Sequence, residues 1–155
     1  MANQRPFVFL IKISLIALVL SVVPMPDIAI DLSPLWMLAF FAYWLVYYQV
    51  KGRFFMALLL GVLLDVLTGD ILAQNALALI LSSAFIVNVK QSFFVSNIST
   101  QQTYIFVASC IYLFFILLVH TLVHGFNFSY YLLLAPVTTA LIWPIIKHLL
   151  SRMKQ

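Results

Sequence analysis

Asp65 is the acid that falls in the middle of a long apolar run, the residues 54 to 72, which Gly69-Asp70 interrupts again near its end. A charged side chain at the centre of a bilayer costs about 2.5 to 3.5 kcal/mol on insertion scales, so such a residue must face protein or water. Three kinds of chemistry fit it: a hydrogen-bonded packing residue, part of a partner interface, or an ion or ligand site. His120 and His124 stand four apart and point the same way on a helix, a spacing that would suit a metal. Two ligands without a companion Cys or Glu are too few for a zinc site, so interfacial hydrogen bonding is the favoured reading. No Gly-rich phosphate loop, nucleophile elbow, His-Glu-x-x-His or pair of carboxylates on one helix is present. General acid–base catalysis needs a group poised at a reacting centre, and the chain offers one buried candidate. The expectation is therefore no enzyme, no catalytic residues, no metal and no cofactor.

Around Asp65, the residues Ala57, Gly61, Asp65, Gly69 and Ala73 recur every four positions and share a slowly drifting helix face. Apart from Asp65 that face is thin. Small residues let helix backbones approach closely, which is how helices associate in lipid. The face thus reads as a seam, either within the chain, with Asp65 hydrogen-bonded to the next helices, or toward a partner. The depth of Asp65 depends on where its helix stops. A C-terminal cap at Gly69 would put it about one turn from the end.

The elements that carry these residues follow from composition. The chain has 155 residues, 65% hydrophobic and 8% charged, against about 25% charged in an ordinary soluble protein. A bilayer core about 30 Å thick takes roughly 20 apolar residues per helix. Six runs meet that need, about 7–23, 34–50, 54–72, 74–89, 104–124 and 130–150. They define one transmembrane domain over residues 1–155, with no room for a soluble domain. Of the eight Lys and Arg, Arg5, Lys51, Arg53, Lys90, Arg152 and Lys154 fall in alternate gaps or at the chain ends, and Lys12 and Lys147 lie near the ends of their runs on the same side. Because cytoplasmic connections collect these residues, the pattern places both ends inside. The fold class expected is an all-α integral membrane protein, a bundle of six transmembrane helices, N-in and C-in.

The net charge of +4 is dispersed over four short segments rather than gathered in a stripe, which speaks against nucleic acid and for topology with some attraction to anionic headgroups. Arg5 and Lys12 before an apolar stretch resemble a signal peptide, but Val23-Pro-Met-Pro26 lacks a small-x-small cleavage site, so an uncleaved anchor is expected. Residues 90 to 102 form the longest polar connection and read as a cytoplasmic loop, a plain connector in the favoured reading and a docking loop in the other. Trp36, Trp44, Tyr47, Tyr48, Tyr104, Tyr130, Tyr131 and Trp143 cluster toward the expected helix ends, where amphipathic rings anchor at the interface. The lone Cys110 excludes an intrachain disulfide.

Several local features together resemble the rod shape-determining protein MreD family, in the form found in Gram-negative rods. They are Pro24-Met-Pro-Asp27 after the first run, Pro34-Leu-Trp36 with Tyr43-Trp44 in the second, Gly61-x-x-x-Asp65-x-x-x-Gly69 with Ala76-Leu77, and Trp143-Pro144 in the last. The glycine–aspartate–glycine piece is the most specific. One departure is Ala73, where family members often carry a further glycine. The resemblance implies a non-enzymatic inner-membrane scaffold of the elongation machinery, working with an MreC-like membrane protein, the MreB filament, RodA and a class B penicillin-binding protein. It also implies a helical arrangement like that of the substrate-binding subunits of energy-coupling-factor vitamin transporters. That likeness keeps open an alternative, a small-solute binder, in which Asp65, Asn75, Ser82, Ser83, Asn88 and His120 would be the polar groups of a pocket. A proton-linked carrier using Asp65 is a third reading, weakened because relays chain several ionisable groups.

Overall fold

The computed structural model describes residues 6–24, 26, 29, 32–49, 51–127 and 129–153. Arg5, Asp27, Asp31 and the tail residues Lys154 and Gln155 lie outside these. Among the described residues the chain is all helix, without strands: α1 (Pro6–Val22), α2 (Trp36–Tyr47), α3 (Arg53–Thr68), α4 (Gln74–Val95), α5 (Ile98–His124) and α6 (Ala135–Met153), the last preceded by a 3₁₀ turn, Tyr130–Leu134. Three segments are long and apolar enough to cross a membrane, Gln74–Val95, Ile98–His124 and Tyr130–Met153.

Helix α2 sits at the centre. It is apolar on every side, and a helix of that kind must be covered on every side. Ten consecutive residues, Met37 to Val46, are buried, and α1, α4, α5 and α6 all pack against it. With 12 residues it is about 18 Å long at 1.5 Å per residue, and its end backbone groups lie against neighbouring helices. Hydrocarbon offers those groups nothing, and neighbouring helices must satisfy them. At the start, the Leu35 N–H donates to Thr139 Oγ1 of α6 at 2.9 Å. At the end, Lys90 of α4 donates its ammonium to the carbonyl oxygens of Leu45 at 2.7 Å and Tyr48 at 3.0 Å.

The polar stretch 90–102 corrects an expectation. Residues 90 to 95 continue α4 and Ile98 opens α5, leaving Ser96 and Asn97 as the connection. The polar side chains here serve the helix ends instead of solvating a loop. Gln101 is 2% exposed. Its Nε2 donates to the Phe93 oxygen at 3.1 Å and the Ser96 oxygen at 3.0 Å, closing the end of α4. Its Oε1 accepts from Lys147 Nζ at 2.9 Å and from Trp143 Nε1 at 3.4 Å, tying in α6. The adjacent Gln102 answers a different need. Pro144 lies inside α6 and has no N–H for the carbonyl four residues earlier, that of Ala140. Gln102 Nε2 donates to that carbonyl at 3.2 Å.

The aromatic rings expected to anchor at the interface are divided between the surface and the core. Tyr130 and Tyr131 are exposed, whereas Trp44 and Trp143 are buried. Trp44 stacks on Phe41, and Trp143 meets Phe93 edge-on at 5.4 Å between ring centres. Proximity to a helix end in sequence did not put these two indoles at the interface, because α2 is enclosed and α6 presents Trp143 to the Gln101 cluster.

Candidate functional site: a buried polar network at the turn between α3 and α4

Helix α3 ends at Gly69, which adopts φ +73°. The left-handed conformation turns the chain and lets the following amides bond back, an arrangement natural to glycine. Both the Gly69 N–H and the Asp70 N–H donate to the Asp65 carbonyl oxygen, the second at 3.1 Å. Asp65 therefore occupies the last turn of α3.

The chain then runs through four residues, Asp70 to Ala73, into α4. Ala73 is the residue preceding α4 and has no side chain able to cap it. Asp65 supplies the cap from the neighbouring helix. Its Oδ1 accepts from the Asn75 backbone N–H at 2.9 Å and from Asn75 Nδ2 at 2.8 Å. A carboxylate at a helix N-terminus satisfies amides that have no partner in their own helix and meets the positive end of the helix dipole. This is how an acid 1% exposed is accommodated in an otherwise apolar element. Asn75 passes the network onward: its Oδ1 accepts from the Tyr112 hydroxyl of α5 at 2.5 Å. Its Nδ2 also lies 3.3 Å from Asp70 Oδ2, an oxygen that accepts from Thr68 Oγ1 at 2.6 Å. One carboxamide thus connects three helices.

Close packing makes this reach possible. A Cβ added to Gly61 would stand 2.3 Å from Ala76 Cα and 2.6 Å from Ala76 N. Here the α3 and α4 backbones touch, one turn from the Asp65 cap. Of the five seam residues, Ala57, Gly61 and Asp65 are buried, whereas Gly69 is exposed and Ala73 half-buried, both in the turn.

Ala73 has φ +72°, the one non-glycine residue with positive φ among those described. The turn thus holds an alanine in a left-handed backbone that glycine adopts more readily. An alanine in that region costs roughly 1 to 2 kcal/mol, partly offset by the greater freedom glycine has when unfolded. Ala73→Gly is therefore expected to stabilise the protein by about 0.5 to 1 kcal/mol, read as a higher denaturant midpoint in mild detergent. A lower midpoint would mean that contacts of the Ala73 methyl outweigh the backbone strain.

Of the polar groups that a solute pocket would require, the structure unites Asp65 with Asn75 and disperses the rest. Ser83 Oγ donates to the Leu79 oxygen within its own helix at 2.5 Å. Asn88 lines a groove near the far end of α4. His120 Nε2 lies 3.0 Å from the Asn127 oxygen, and the His120 and His124 rings are 5.0 Å apart. A cavity of about 180 Å³ borders Asn75, Tyr112, Asp70 and Trp36, smaller than the roughly 300 to 1,000 Å³ of ordinary ligand pockets. Among the described residues, no three His, Cys, Asp or Glu side chains gather as metal ligands. The residue of this network that the spacing did not single out is Tyr112, and a signal existed: its hydroxyl falls mid-run, far from the ends where membrane tyrosines usually sit.

These features define a helical membrane protein whose buried polar side chains tie helix ends together. The chain belongs to the MreD family: the model of the rod shape-determining protein MreD matches residues 1–153. Comparison with curated proteins and with solved structures gives no match.

Proposed function

We propose that this protein is a non-enzymatic, multi-pass scaffold of the bacterial inner membrane that positions the cell-wall synthases of the elongation machinery through helix–helix contacts. The observation that carries the reading is membership in the rod shape-determining family over residues 1–153. Its first partner is an MreC-like membrane protein, and the MreB filament, RodA and a class B penicillin-binding protein complete the assembly. In this reading the chain crosses the bilayer six times with both ends in the cytoplasm. The side-chain caps on the short α2 support that number, since they allow its ends to lie at membrane depth. The seam of Ala57, Gly61, Asp65, Gly69 and Ala73 acts within the chain, holding α3 on α4 and shaping the turn between them. Partners then dock on other helix faces.

The test is made in the rod-shaped host. Depletion of this chain is expected to round the cells while the synthases remain present, and a tagged copy is expected to bring down an MreC-like protein from solubilised membranes. A fluorescent protein fused after Gln155 should glow in the cytoplasm. Depleted cells that stay rod-shaped, with no such protein retained on the tag, would refute the scaffold reading.

A further inference from the structure

Helices α3 and α4 touch at Gly61 and Ala76, yet the start of α3 and the end of α4 part around an open groove of about 1400 Å³. Its walls carry exposed apolar rings, Phe55 and Phe94 each 63% exposed. Its rim carries three cations, Lys51, Arg53 and Lys90, and no acid lines it among the described residues. Exposed apolar surface alone is ordinary on a protein in lipid. Here three cations from two helix ends, Lys51 and Arg53 at the start of α3 and Lys90 near the end of α4, line one groove with no acid beside them among the described residues. Lys90 is held in place by its bonds to the end of α2. A bound anion would balance those charges, and the apolar walls below call for hydrocarbon attached to it.

We propose that this groove is a binding site for one anionic phospholipid of the cytoplasmic leaflet, its phosphate at Lys51, Arg53 and Lys90 and an acyl chain along Phe55 and Phe94. The Lys and Arg bias puts this end of the bundle at the cytoplasmic headgroups, where basic segments attract anionic lipid. The groove then becomes a built site at which a lipid acts as a wedge between α3 and α4, filling the ends that the Gly61 contact leaves apart.

The full-length protein in mild detergent is titrated with phosphatidylglycerol or phosphatidylcholine, with retained lipid counted by native mass spectrometry and stability followed by thermal melting. Phosphatidylglycerol is expected to be retained and to raise the melting temperature, with phosphatidylcholine weaker on both. Lys51→Gln combined with Arg53→Gln should reduce retention by roughly tenfold to thirtyfold. Lys90 is left intact because it caps α2. Lys12→Gln combined with Arg152→Gln removes the same charge away from the groove and should leave retention unchanged. The proposal is overturned if phosphatidylcholine is held equally well, if the distant pair causes the same loss, or if inorganic phosphate alone reproduces the thermal shift. A photo-cross-linker at position 94 that captures a polypeptide instead of lipid in intact cells would also overturn it.

Discussion

Asp65→Leu is expected to destabilise the protein by about 3 kcal/mol, seen as a large drop in the unfolding midpoint in detergent. Two donors lose the Asp65 oxygen at once, the Asn75 N–H and its Nδ2, and the second keeps only Asp70 Oδ2 at 3.3 Å. An unsatisfied buried donor costs roughly 1 to 3 kcal/mol, and a lost N-cap about 1 kcal/mol. Removing the desolvated carboxylate returns part of this, which is why the expected total stays below the sum. Asp65→Asn keeps an oxygen in the same place and loses the charge at the α4 N-terminus, so it should cost only about 1 kcal/mol. The order is the test. If Asn at this position is worse than Leu, the carboxylate is not acting as a cap in trans. Tyr112→Phe removes the far end of the same network. Combined with Asp65→Leu it should cost less than the two changes separately, because Asn75 has already lost its fixed position.

Gly61→Ala carries the second large effect. The new methyl would lie 2.3 Å from Ala76 Cα, a backbone atom with no rotamer to escape into. Forcing the helices apart there strains the Asp65–Asn75 bonds one turn away, and overpacking of a closed interface costs typically 1 to 3 kcal/mol, occasionally more. The informative companion is Ala76→Gly. It removes a Cβ 3.0 Å from the added methyl but leaves the Cα and N closer still, so the double variant should remain as destabilised as Gly61→Ala alone. Full rescue would show that the contact is between side chains and that the backbones have room to separate. Thermal unfolding of the four proteins decides between these outcomes.

How much was legible in advance varies by element. The apolar runs and the cationic gaps mark where helices form, because hydrocarbon forces backbone groups to bond within a segment. The four-residue spacing around Asp65 marks a close-packed face, because it needs only the helix period. Gly69 as the end of α3 was likewise within reach, as a glycine at the close of an apolar run. The polar stretch 90–102 misled: local composition cannot distinguish side chains that solvate a loop from side chains that cap a neighbouring helix. Gln101 and Gln102 are alike in the sequence, and only their partners reveal that one closes α4 while the other serves the carbonyl freed by Pro144. The buried indoles of Trp44 and Trp143 misled for the same reason, since position along a helix does not say which neighbour covers it.

The chain by itself thus determined an all-helical protein with its cations sorted into alternate connections and one acid embedded in a small-residue face, since these depend on period, polarity and charge within a segment. Which amide Asp65 would cap, which carbonyl Lys90 would reach, and that α2 would be the enclosed helix were decided by tertiary structure alone. Each is a contact between residues far apart or in different helices, selected by the need to leave few backbone dipoles unmet inside an apolar bundle.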